Sequence, residues 1–90
     1  MRKLKEIFKE EGEVFDRVWL NRHACLKSSP AWNKVAPDIK KGALAAAKKV
    51  RAELGRAKTR PMSDFEWGML NGRFETLRWV MGDEWGNLDT

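Results

Sequence analysis

Residues able to do chemistry are thinly spread through this 90-residue chain. Its single histidine, His23, and its single cysteine, Cys25, lie two positions apart. An imidazole and a thiol make a base and a nucleophile only when they meet. Two apart on a helix they point to different sides, so they form no dyad. Structural zinc takes four ligands, usually Cys and His at set spacings, and one of each falls short. No metal and no cofactor is therefore expected, and Cys25 reads as a small buried hydrophobe. Carboxylates gather at Glu10-Glu11, at Glu13 and Asp16, and at Asp83-Glu84. Beside Lys9 and Arg17 the first of these read as a solvated helix face. There is no Gly-rich phosphate loop, nucleotide fingerprint, nucleophile elbow or metal-hydrolase motif, and the chain is not expected to be an enzyme.

The chemistry present in excess is positive charge. Lys34 to Arg60 holds nine basic residues against Asp38 and Glu53, and the formal net charge of the whole chain is +5. Lys41, Lys48, Lys49, Arg56, Lys58 and Arg60 can supply phosphate contacts, which give affinity without sequence choice. Trp32 lies near enough in sequence to stack a base. The expected ligand is phosphate-rich, either nucleic acid or a nucleotide signal. No helix-turn-helix or zinc finger accompanies the patch. The competing reading of the same residues is a solvated helix face, or one of two complementary surfaces that meet in an oligomer.

Composition bounds the scaffold. One cysteine excludes a disulfide framework. The longest strictly apolar run is Ala43-Leu44-Ala45-Ala46-Ala47, too short to span a membrane. The N-terminus MRKLKEIFKEE has no apolar signal core, which predicts a cytoplasmic chain. Nine large aromatics among 42% hydrophobic residues are enough to drive collapse.

Apolar residues recur at three- and four-residue steps, so the expected fold is all-α: three main helices and a short helical turn in one domain of residues 1–90. The first helix covers about 3–27, with Leu4, Ile7, Phe8, Val14, Phe15, Val18 and Trp19 on one stripe. Glu11 and Arg22 fall on that stripe and invite pairing between antiparallel copies. Ser29 and Pro30 open a turn over 30–35, and Pro37 and Asp38 open a helix over 37–54 that stops at Gly55. An exit loop follows. Ser63 and Glu66 form a capping box for the last helix, 63–81, with Met62 and Trp67 placed as a hydrophobic staple. That helix is apolar on two sides, one carrying Trp67, Leu70, Phe74, Leu77 and Met81, the other Phe65, Met69, Trp79 and Val80. Gly68 and Gly72 in its middle cost about 2 kcal/mol against alanine, which predicts a close backbone approach. In the tail, 82–90, Trp85 and Leu88 are apolar hooks.

A second function class follows from these apolar surfaces: a protein-interaction module anchored by Trp67, Phe74, Trp79, Trp85 and Leu88. A homo-oligomer using the same surfaces for self-association is the third.

Phe65-Glu66-Trp67-Gly68-Met69-Leu70-Asn71-Gly72, then Leu77-Arg78-Trp79-Val80-Met81-Gly82-Asp83-Glu84-Trp85 and Leu88-Asp89-Thr90, resembles the C-terminal signature of small proteins from phages, prophages and other mobile elements. Asn21-Arg22-His23 and Pro30-Ala31-Trp32-Asn33-Lys34-Val35 are similar to the first half of those proteins, so the likeness covers most of the chain. The resemblance implies no catalytic residue. It implies an accessory protein, of the kind that includes inhibitors of host defence, acting by stoichiometric binding in the cytoplasm of an infected or lysogenic cell.

Overall fold

The computed structural model describes residues 1–86 of the chain. Among them every regular element is helical: α1 Leu4–Lys27, a 3-10 turn Pro30–Lys34, α2 Pro37–Leu54, α3 Arg56–Thr59 and α4 Asp64–Val80. The three long helices and the short turn match the expected ones within about two residues at each end. No described helix is long and apolar enough to cross a membrane.

Local signals account for most boundaries. The Ser63 hydroxyl accepts the Glu66 backbone N–H at 3.2 Å, and the Glu66 carboxylate accepts the Ser63 N–H at 3.3 Å. The four orphan donors of the first turn thus gain two partners. Pro37 at the head of α2 lacks a donor where none is needed. Gly55 closes α2 with a positive φ of 81° and donates its N–H to Arg51. Ser29 stands at the cap of the 3-10 turn, but its hydroxyl donates back to the Leu26 carbonyl at 2.8 Å and caps nothing ahead of it. The exit loop expected after Gly55 is one turn of helix instead. Thr59 ties α3 down by donating its hydroxyl to the Gly55 carbonyl at 2.8 Å. Four residues are too few to show a periodicity.

The chain expected to pack as a single domain divides into two compact units: Met1–Val18 together with the segment from Met62 onward, and Trp19–Pro61. The first unit is built on Val14, Val18, Leu70 and Phe74, with Phe15, Met62, Trp67 and Leu77 against them. The second is built on Leu20, Ala47 and Val50, with Trp19 and Leu54 against them. Two expectations are corrected here. Cys25 is exposed, so it is no core hydrophobe. Gly68 and Gly72 meet nothing within 4 Å at the position of an added Cβ, so among the described residues no other element's backbone makes the expected close approach.

Candidate functional site

The division into units also divides the charge. Trp19–Pro61 carries eleven Lys/Arg against Asp38 and Glu53, a net +9, while the other unit carries a net −4. All six predicted phosphate-contacting cations lie in the basic unit and all are exposed. Lys41, Lys48 and Lys49 stand on α2, Arg56 and Lys58 on α3, and Arg60 at its C-cap. Lys41 and Lys48, seven apart, share one face about 10.5 Å apart along the axis. That face is opposite Ile39, Val50 and Leu54. Lys49 reaches Glu53 at 4.0 Å, a wide exposed pair that restrains it little. The Arg60 guanidinium donates to the Pro61 carbonyl at 3.2 Å. Gly55 lets the chain turn out of α2 directly into α3, which is how the two sets of cations follow one another.

Trp32 is less free than the sequence suggests. It lies half-buried in the same unit, with the Lys40 ammonium 5.5 Å from its ring centre and the His23 ring edge-on at 5.7 Å and 82°. His23 in turn stacks on Trp19 at 5.1 Å and 8°. These rings, with Arg22, Leu26, Val35, Ile39 and Ala43, line a shallow groove of about 220 Å³. His23 is only 6% exposed and its Nε2 has no hydrogen-bond partner among the described residues. Burial pushes the imidazole below its ordinary 6.5, and the nearby Arg51 and Lys27 push it further the same way. The ring is thus a neutral, buried member of an aromatic cluster. The sequence offers only one hint of this arrangement: Trp19 and His23 are four apart on a helix face.

The acidic unit holds the predicted interaction residues, and it corrects several. Phe74 is 0% exposed and so is not available to a partner, while Trp67 packs against the core and is only partly exposed. Glu11 already has a partner in its own chain. It accepts a hydrogen bond from Arg78 at 3.5 Å, and Arg78 also binds Asp83. The two carboxylates hold the guanidinium in its charged form, above its usual range. Arg22, the partner expected for Glu11 in a second copy, lines the groove of the basic unit. Trp79 and Trp85 are exposed and stacked on one another at 5.0 Å and 13°. The Glu75 carboxylate accepts the Gly86 N–H at 2.6 Å, so the tail as far as Gly86 folds back on α4. Leu88 lies outside the described residues. Among those described, no three His, Cys, Asp or Glu side chains gather as a metal site.

Comparison with protein families, with curated proteins and with solved structures finds no match. The functional reading therefore rests on the residues and their geometry.

Proposed function

We propose that this protein is a non-enzymatic binding protein that grips a phosphate-rich polyanion, nucleic acid before free nucleotide, through Lys41, Lys48, Lys49, Arg56, Lys58 and Arg60. The observation that carries this reading is the separation of charge. The net positive charge resides in one compact unit, on exposed positions of α2 and α3. Clustered cations on a folded face attract phosphates and release their counterions. A nucleic acid is favoured over a mononucleotide because the cations are strung along two successive helices rather than gathered around a cavity. The resemblance to small mobile-element proteins supports a stoichiometric accessory role, anti-defence included, in the cytoplasm of an infected cell.

The test is fluorescence anisotropy with a labelled single-stranded oligonucleotide across a salt series. Binding should weaken steeply as salt rises. Lys48→Glu with Lys49→Glu should lower affinity at least tenfold at low salt and flatten the slope of log K against log salt by about 1.4, the loss of two single-strand phosphate contacts. Affinity that ignores both salt and the double variant would sink the reading.

The second reading is a module that inhibits or scaffolds a protein complex. The exposure of Phe65, Met69, Trp79, Val80 and Trp85 on and beside α4 supports it. Such a contact survives nuclease treatment and moderate salt, which polyanion binding does not.

A further inference from the structure

One of the two apolar faces of α4 is packed in the core, and on the other Trp79 alone has an aromatic partner within the described chain, Trp85 stacked on it. Leu70 and Phe74 are buried, whereas Phe65 is 76% exposed and Trp79 49%, with Met69 and Val80 about half exposed between and beside them. The centre of this open face is Gly68, Gly72 and Thr76. The Thr76 hydroxyl donates to the Gly72 carbonyl at 2.9 Å, so it presents no unpaired polar group. Charge stays at the margins, with Glu75 on one edge and Arg73 on the other. Among the described residues nothing lies within 4 Å of a Cβ added at either mid-helix glycine, so no packing there offsets their helix-propensity cost.

The order of residues along this face reads the same in both directions. Phe65, Gly68, Gly72, Thr76 and Trp79 are spaced three, four, four and three, running large, small, small, small, large. We propose that this face is the interface of a homodimer, in which two copies of α4 pack antiparallel about a two-fold axis through Gly72. Residue numbers facing one another then sum to 144. Phe65 meets the partner's Trp79, Gly68 meets the partner's Thr76, and Gly72 meets itself. An isologous contact demands this self-complementarity. Small residues at the crossing let the helix axes come to the short end of the usual range, and the aromatics close both ends. Antiparallel order also sets the two helix dipoles side by side in opposition and keeps the acidic first turns, with Asp64 and Glu66, apart.

The area is sufficient. Phe65, Met69, Trp79, Val80 and Trp85, each about half exposed or more, offer roughly 500 Å² per copy, on the scale of aromatic side-chain areas. A pair then buries about 1,000 Å², the lower bound for a specific interface and the size class of weak, transient contacts. The dimer stands apart from the polyanion reading, since no residue is shared.

The experiment uses the full chain at about 100 μM, high enough to populate a weak dimer. Native mass spectrometry and light scattering should give a dimer. Gly72→Leu places bulk where the chain leaves open space, so its helical circular dichroism should be kept while the dimer is lost. In a Cys25→Ser background, Gly68→Cys and Thr76→Cys should cross-link when mixed, and each alone should not. A monomer at this concentration would overturn the proposal and leave the face to a different protein. A dimer indifferent to Gly72→Leu would place the interface elsewhere. Self-cross-linking of Gly68→Cys would make the pairing parallel and refute the two-fold through Gly72.

Discussion

His23 shows what one side chain does to the basic unit. A buried imidazole nitrogen without a partner costs about 1–3 kcal/mol of desolvation. It stays neutral in the folded state because burial, Arg51 and Lys27 all disfavour the cation, and Arg22 and Lys40 add positive charge to the same neighbourhood. In the unfolded chain it takes up a proton near its ordinary 6.5. Its folded value is lower, so the unfolded state binds more protons as pH falls. The stability associated with this group is present above 6.5 and is lost as pH falls through the depressed value. The slope is at most about 1.4 kcal/mol per pH unit for one proton. His23→Phe keeps a ring against Trp19 and Trp32 and removes both the orphan atom and the titration. Thermal melts at pH 7.5 and 5.5 should show a smaller acid loss for the variant than for the natural chain. Equal losses would show that carboxylates alone set the acid limit. The four-residue spacing hints at the Trp19 contact of His23, but the Trp32 contact is not legible in the sequence, because Trp32 arrives from a turn whose path no periodicity predicts.

At the level of elements, starts were more legible than faces. Ser63-Asp64-Phe65-Glu66 announced α4 because each side of a capping box answers a particular orphan backbone group. Pro37 and Gly55 bracketed α2 for equally local reasons. Ser63→Ala removes one reciprocal half of that box and should lower stability by about 1 kcal/mol, read by urea denaturation. Restoration by Ser63→Asp, another good cap, would separate a capping effect from any other role of the serine. Faces fared worse. Both sides of α4 are apolar, so its own pattern does not say which turns inward, and Phe74 was placed at an interface although it is wholly buried. What decides is the facing stripe on α1, Val14 and Val18, some 50 residues away in sequence. Cys25 failed for a related reason: its type is usually buried, but it lies on the open side of α1. The exposure of the six cations is legible because long charged side chains stay in water, and helical periodicity puts Lys41 and Lys48 opposite the apolar side.

For the molecule as a whole, the order of the two units along the chain bears on how it folds. The basic unit is continuous in sequence and nested within the acidic one, whose two segments flank it. Its core joins Leu20 to Ala47 and Val50, a closure of about 30 residues, while the other core must join Val18 to Leu70, across more than 50. Loop-closure entropy grows with length, and contacts closer in sequence form faster. The nested unit should therefore condense first and take up most of the slack that the outer core would otherwise have to order. Stopped-flow refolding makes this testable. Val50→Ala should chiefly slow refolding, whereas Val14→Ala should chiefly speed unfolding. The reverse pattern would mean that the outer core nucleates. If the order holds, a refolding chain completes its cationic body while α4 is still unpacked. The cations would then be in place before the aromatic core of the outer unit exists.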